Sequence, residues 1–172
     1  IDVPGTLDVT GAATLDSTLG VAGLISADGK VSFPLGSAAA PSLLPGADTN
    51  TGIFSPGADQ LAITTAGTER LRIDSSGRTG IGATSPGSYY ANQLVVDTGS
   101  TAQSGITIAS ESDKQGMFAF ADGTSGNARF SGYVNYDHSI NALTLGTTGS
   151  ERMRIDSSGN VGIGTTTPGA KL

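Results

Sequence analysis

The chain has 172 residues, and Gly, Ser, Thr and Ala make up half of them, whereas only about a fifth are Leu, Ile, Val or Phe. These large apolar side chains are too few to form the hydrophobic core of a conventional monomer. We therefore expect stability to come from backbone pairing and from association with other chains. The sequence contains no cysteine, which excludes disulfides and thiolate chemistry. The net charge is −6 and no basic cluster is present, so we expect no nucleic-acid partner. No signal peptide and no apolar run of transmembrane length is visible, so we expect a soluble chain without membrane insertion.

The first part of the chain, residues 1–35, carries a six-residue rhythm that extends from Gly5 to Pro34. Apolar residues alternate with small residues or Asp within each block, as in Leu7 and Val9. Such a rhythm predicts short strands wound along an axis, that is, a β shaft. Residues 36–50 are rich in Pro, Ala and Gly and are predicted to form a linker.

An internal duplication is the most informative feature of the sequence. Residues 65–87 align without gaps on residues 147–169, at an offset of 82, and 16 of the 23 aligned pairs are identical. Weaker similarity extends upstream of both segments. We therefore predict one structural unit used twice, as a first hairpin repeat over 51–87 and a second over 141–172.

Each copy begins with an alternating segment. In the first copy, Leu71 and Ile73 are predicted to lie on one face of a strand, and Arg70, Arg72 and Asp74 on the other. This alternation is typical of a half-buried strand.

A tight turn and a return strand follow in both copies. Asp74 can hydrogen-bond the turn backbone, and Gly77 can adopt the positive φ that a tight reversal requires. The return strand, residues 79–82, keeps Ile81 between two glycines, which indicates that another backbone segment approaches closely.

Residues 88–140 contain most of the aromatic side chains and are predicted to form a separate aromatic β module. Val, Ile and aromatic residues between turn-rich pieces indicate a strand meander. The predicted strands are residues 93–97, 105–109, 116–121 and 129–136. No segment of the chain shows sustained helical periodicity.

The charged and turn residues of the duplicated unit are assigned structural roles. They are predicted to form inter-chain or cross-strand ion pairs and turns, each pair contributing only a fraction of a kcal/mol where exposed. The residues concerned are Glu69, Arg70, Arg72, Asp74 and Gly77 in the first copy, and Glu151, Arg152, Arg154, Asp156 and Gly159 in the second.

Enzymatic chemistry has little support in the sequence. His138 is the only histidine, and we interpret it as a turn residue after Asp137. A pair of carboxylates could cleave a glycosidic bond, and the residues weighed for this role are Glu111, Asp113, Asp122 and Asp137. Most acidic residues here adjoin Gly, Ser or Asn, which favours turns. We predict no catalytic, cofactor-binding or metal-binding residue and no enzyme activity.

Four tyrosines are the candidates for receptor binding: Tyr89, Tyr90, Tyr133 and Tyr136. Their rings could stack on sugars, with Asn and Asp side chains bonding the hydroxyl groups. The alternative is that these aromatics pack within a sheet, and their alternation with other apolar residues favours packing.

Three segments resemble bacteriophage tail-fibre and tail-spike proteins: residues 50–56 (NTGIFSP), 136–143 (YDHSINAL) and, above all, 150–164 (SERMRIDSSGNVGIG). The resemblance covers most of residues 46–172. It implies an elongated homotrimer with a triple β-helix or β-prism-like shaft. Many members of this family also carry a C-terminal intramolecular chaperone domain, and residues 165–172 are similar to the segment that precedes one.

From the pattern and the resemblance together we expect an all-β, elongated homotrimeric fibre with short hairpin repeats. Its expected place is an extracellular tail appendage of the virion, where it contacts other tail proteins and contributes to host attachment through a cell-surface polysaccharide or protein. Two alternatives remain open. One is a tail spike that degrades a polysaccharide, and the other is a capsid-attached or adaptor fibre without a receptor role.

Overall fold

The computed structural model describes residues 31–99 and 103–170. Within these ranges the chain is all-β, as predicted: its ten strands form two five-stranded sheets, accompanied by two short 3₁₀ helices. The chain divides into two compact units: the first ends at Val95, and the second begins at Val96. The predicted shaft of residues 1–35 lies outside the described residues, apart from residues 31–35, which are not part of a strand.

The first sheet has the strand order β1-β2-β3-β4-β5, which is also the chain order. Successive strands from β1 to β4 are antiparallel. A 3₁₀ helix, Pro86–Ser88, lies between β4 and β5. The strands are β1 (Gly52–Phe54), β2 (Leu61–Thr65), β3 (Thr68–Ile73), β4 (Thr79–Ile81) and β5 (Leu94–Val96).

The second sheet is also a meander, in which each strand from β6 to β10 pairs antiparallel with the next. A 3₁₀ helix, Gly126–Phe130, connects β6 to β7. The strands are β6 (Gln115–Phe120), β7 (Gly132–Asp137), β8 (Ala142–Thr147), β9 (Ser150–Ile155) and β10 (Val161–Ile163).

The duplicated sequence folds into the same three-stranded unit twice, as β2-β3-β4 and as β8-β9-β10. The hairpin between the first two strands turns at Ala66-Gly67 in one copy and at Thr148-Gly149 in the other, with φ between 51° and 70° at all four residues. Two consecutive positive φ values are the mark of a type I′ turn, whose twist matches that of the flanking strands.

The second turn of each unit has the predicted chemistry. The Asp74 Oδ1 atom accepts hydrogen bonds from the backbone N–H groups of Ser76 and Arg78 at 2.9 and 3.0 Å. Gly77 follows with a φ of 78°. Asp156 and Gly159 repeat this arrangement in the second copy, with two bonds of 2.9 Å and a φ of 79°.

A register shift in each hairpin was not predicted. It falls between Ile63 and Thr64 in the first copy and between Leu145 and Gly146 in the second. Arg70 is left without a partner on β2, because Leu71 pairs with Ile63 while Glu69 pairs with Thr64. The simple alternation expected for the strand is therefore broken at Arg70, and such bulges change which side chains share a face.

The aromatic region differs from its prediction in two places. Residues 105–109 belong to no strand, and residues 126–130 form a 3₁₀ helix ahead of β7. The strands predicted over 93–97 and 116–121 are present with shifted ends, as β5 and β6. Because β7 pairs with β8 along six residues, one sheet continues from the aromatic region into the second hairpin repeat.

Candidate functional site

One face of the first sheet is apolar and open to solvent. Ile53, Ile63, Leu71 and Ile81 face one another in register across β1 to β4 and form a continuous row. Leu61 and Ile73 form a second, shorter row beside it. All of these side chains except half-buried Leu71 are 38–45% exposed.

The second sheet repeats and extends this face. Its longest row crosses all five strands and consists of Phe118, Val134, Leu145, Met153 and Ile163. Met153 is half-buried, and the other four side chains are between 37% (Leu145) and 73% (Ile163) exposed. The next row contains Tyr136, Leu143, Ile155 and Val161. We call these surfaces the apolar faces of the two sheets.

The opposite face of the first sheet is covered by the chain itself. Phe54, Ala62 and Thr64 lie on it and are at most 5% exposed. The Thr64 hydroxyl donates a hydrogen bond of 2.9 Å to the backbone oxygen of Ala38, in the predicted linker. The chain thus buries small residues and one Phe on this side while the larger aliphatic rows on the other side stay uncovered. Exposed apolar patches of this kind mark interaction surfaces.

In each sheet, the face opposite the apolar rows holds an ion pair of the duplicated unit. Glu69 and Arg72 form two parallel hydrogen bonds of 2.7 Å, and Glu151 and Arg154 form two of 2.8 Å. In each pair, both partners lie on the same strand. The prediction of cross-strand ion pairs is therefore wrong for these two pairs. The register shift explains this: with Arg70 unpaired, residues three apart point to one side. Hydrogen bonding to Glu69 raises the pKa of Arg72.

The remaining repeat residues also have structural contacts. Arg70 Nε donates to Thr65 Oγ1 at 2.9 Å, and Arg152 Nε donates to Thr147 Oγ1 at 3.0 Å. For Asp74, desolvation acts to raise the pKa, but hydrogen bonds from Arg78 and Ser76 outweigh it and hold the pKa below its usual value. Hydrogen bonds from Asn160 and from the turn backbone likewise lower the pKa of Asp156.

The four candidate tyrosines do not form one site. Tyr89 and Tyr90 follow the 3₁₀ helix of the first unit and are exposed. Tyr133 and Tyr136 lie on β7 of the second unit but face opposite sides of the sheet, because Tyr133 pairs with Gly146 and Tyr136 with Leu143. The Tyr133 ring lies directly over Gly146, where a Cβ would come within 2.1 Å of it.

Three of the four acidic residues considered for catalysis have side-chain contacts, whereas Glu111 is exposed and accepts a hydrogen bond through its backbone oxygen, from the Lys114 N–H group. Asp113 pairs with Lys114 at 2.6 Å, and Asp122 accepts a bond of 2.6 Å from the Ser131 hydroxyl. Asp137 accepts from Ser139 and from Gln115, and these bonds lower its pKa, which is the opposite of what a general acid needs.

The lone histidine lies in the turn after Asp137, as predicted, with its ring edge-on to Tyr136 at 4.9 Å. Among residues 31–99 and 103–170, no group of three or more His, Asp or Glu side chains is arranged to hold a metal ion. None of the helices within this described part is long and apolar enough to span a bilayer.

Sequence reasoning named individual apolar residues but missed that they align into rows across whole sheets. It also missed Asn135, which is 4% exposed on β7. The signal that could have revealed the rows is the recurrence of Ile, Leu or Met at every second position of both copies. Comparison with known proteins finds no matching family model and no matching curated relative.

Proposed function

We propose that this chain is a non-enzymatic structural segment of a bacteriophage tail fibre or related virion appendage, assembled as an elongated homotrimer. The observation that supports it best is the pair of exposed apolar faces, on which aliphatic side chains line up in register across the sheets. The predicted triple β-helix or β-prism-like shaft over residues 1–35 belongs to the same proposal.

Energetics favour covering these faces by association. Ile163 is 73% exposed, and full burial of such a side chain contributes about 1.5–3 kcal/mol, so covering Ile163 would contribute about 1–2 kcal/mol per chain. A second copy of the chain offers the same aliphatic row and therefore a matching surface. The stoichiometry of three rests on the resemblance to tail fibres, in which three chains around one axis bury a few apolar residues of each against their copies.

The proposed setting is extracellular, in a tail appendage of the virion. There the chain would contact other tail proteins and contribute to attachment to a host polysaccharide or protein. Incubation with host polysaccharide separates this role from that of a degrading tail spike, since released product would show hydrolysis. Electron microscopy of virions separates it from a capsid-attached or adaptor fibre.

A substitution in the apolar face tests the proposal. Ile163→Asp and Ile81→Asp place a charge in the proposed interface of each sheet. Ile140→Asp is the matched control, because Ile140 is 46% exposed in the turn between β7 and β8 and lies outside the apolar rows. Light scattering coupled to size exclusion gives the mass, and circular dichroism verifies folding.

We expect Ile163→Asp and Ile81→Asp to lower the fraction of trimer at a given concentration, while Ile140→Asp assembles like the unmodified chain. If both face variants retain the mass of the unmodified assembly, the apolar faces are not the contact surface and the proposal fails.

A further inference from the structure

A depression lies at one edge of the apolar face of the second sheet, beside β6, and its volume is about 310 Å³. Gly116 leaves room for it, because this position of β6 has no side chain while Phe118 projects from the same face. Residues 105–110 run beside the gap, where a Cβ at Gly116 would lie 3.3 Å from Ile108 Cγ2. The apolar and aromatic side chains that line the depression are Ile106, Ile108, Phe118, Val134, Tyr136 and Leu143.

The size and chemistry of the depression suit an aliphatic side chain. A protein cavity of about 150 Å³ takes up benzene, so the depression has room for an isoleucine side chain, which is smaller than benzene. None of the described residues that line it is an Asp, Glu, Lys or Arg. His138 also lines it, but its ring already packs edge-on against Tyr136. An apolar occupant is therefore favoured over a charged one, which would lose its hydration without gaining a partner.

The opposite edge of the same face carries an uncovered isoleucine. Ile163 lies on β10, the outermost strand of the described sheet, and is 73% exposed. The first copy of the duplicated unit shows why: the equivalent Ile81 is only 44% exposed, and its strand β4 is flanked by β5. Ile163 belongs to the same row as Phe118 and therefore projects from the face that holds the depression.

The separation of the two features decides which chains can bring them together. With about 4.8 Å between neighbouring strands, β6 and β10 lie roughly 19 Å apart, so any depression that Ile163 fills belongs to another copy. A contact in which one patch meets the same patch of another copy closes after two chains. A closed ring of three needs a contact between two different patches of the surface. The depression and Ile163 are two such patches.

We propose that Ile163 of each copy inserts into the depression of the next copy, so that one repeated contact closes a ring of three chains. The proposal rests on the proposed homotrimer and adds which two surfaces meet in it. The contact joins opposite edges of neighbouring apolar faces, and the aliphatic rows of the three second sheets then enclose a common interior.

Engineered disulfides test this contact, because the chain contains no cysteine and an introduced pair reports on one contact alone. The purified full chain carries Ile108→Cys together with Ile163→Cys. A second pair, Ile106→Cys with Ile163→Cys, samples another part of the depression in case the first pair disturbs folding. A disulfide requires the two Cβ atoms to approach within about 4.5 Å, so only neighbouring positions can be linked.

Two control variants accompany these pairs. The first is Ile140→Cys with Ile163→Cys, because Ile140 is 46% exposed in the turn between β7 and β8 and does not line the depression. The second is Ile163→Cys alone, which links only where Ile163 meets the same residue of another copy. Circular dichroism and light scattering on the reduced samples verify that each variant folds and assembles.

Mild oxidation followed by a denaturing gel without reductant measures the linkage. We expect both depression pairs to give bands of two and three linked chains, about tenfold or more faster than the control pair, because the contact holds the two cysteines at a high effective concentration. No band above three chains is expected, since the ring is closed. Reductant should return every band to the single chain.

Three results would overturn the proposal. The first is linkage of the depression pairs no faster than the Ile140 control pair, in reduced samples that assemble as trimers. The second is linkage by Ile163→Cys alone as fast as by the pairs, which would show that Ile163 meets its own counterpart. The third is a ladder of bands above three chains, which would show an open filament.

The mass of the unmodified chain keeps the two proposals separate. A trimer whose depression pairs do not link contradicts only the contact of Ile163 with the depression. A monomeric unmodified chain contradicts the proposed homotrimer and, with it, this contact.

Discussion

Replacing Gly80 by Ala should destabilise the first sheet through a backbone collision. Gly80 lies on β4 opposite Arg72, and a Cβ at this position would lie 2.1 Å from the carbonyl oxygen of Ala83 and 3.1 Å from its carbonyl carbon. Relief requires one backbone segment to move by about 1 Å, because real Cβ contacts essentially never fall below 3.0 Å. The glycines of the return strand predicted the approach of another backbone segment. The backbone that approaches Gly80 belongs instead to Ala83, three residues further along the chain.

Overpacking of this kind costs about 1–3 kcal/mol. For a unit of this size, that cost corresponds to a fall in melting temperature of roughly 4–20 °C. Thermal unfolding followed by circular dichroism measures the effect. All variants must be compared at one protein concentration, because association makes melting temperature concentration-dependent.

Two other glycines provide a graded comparison. At Gly162, the equivalent residue of the second copy, a Cβ would lie 2.8 Å from the Thr165 oxygen, so Gly162→Ala should cost less. At Gly105 nothing lies within 4 Å and the backbone is not left-handed, so Gly105→Ala should be close to neutral. If Gly80→Ala melts together with Gly105→Ala, the proposed collision does not exist and the reasoning is refuted.

Two more predictions concern titration and aromatic packing. The lowered pKa values of Asp74 and Asp156 mean that their ionised forms stabilise the fold above the ordinary carboxyl pKa of 3.8, so this stability is lost as pH falls. The melting temperature should therefore drop between about pH 5 and pH 2. The drop should be less steep in the Asp74→Asn variant. Identical pH profiles of melting temperature for the variant and the unmodified chain would contradict the role of Asp74. Tyr133→Ala should lower the melting temperature because the ring packs over Gly146, whereas lost cell attachment with unchanged melting would show that Tyr133 serves binding rather than packing.

The hairpin units were predictable because their signals are local. Asp74 and Gly77 specify their turn through a side-chain acceptor and a positive φ, and both are recognisable within four residues of sequence. The register shift at Arg70 was not predictable, since no Gly or other unusual residue marks it and the shift depends on how two strands pair. The ion pair between Glu69 and Arg72 went unpredicted for the same reason.

Non-local pairing accounts for the other differences. Residues 105–109 alternate like a strand, but alternation does not reveal whether a partner strand is available. Here Ile106 and Ile108 instead line a depression on the apolar face of the second sheet, next to Phe118. The burial of Asn135 likewise depends on its cross-strand neighbour Thr144 and on the residues that surround both.

The solution mass and shape of the purified chain test the central claim, that the apolar faces are covered by other copies of the chain. Light scattering combined with small-angle X-ray scattering gives both quantities in one sample. We expect an elongated particle of three chains of 17.1 kDa each. A compact, folded monomer that persists at high concentration would contradict it, because the apolar rows of both sheets would then be stable in water without a partner.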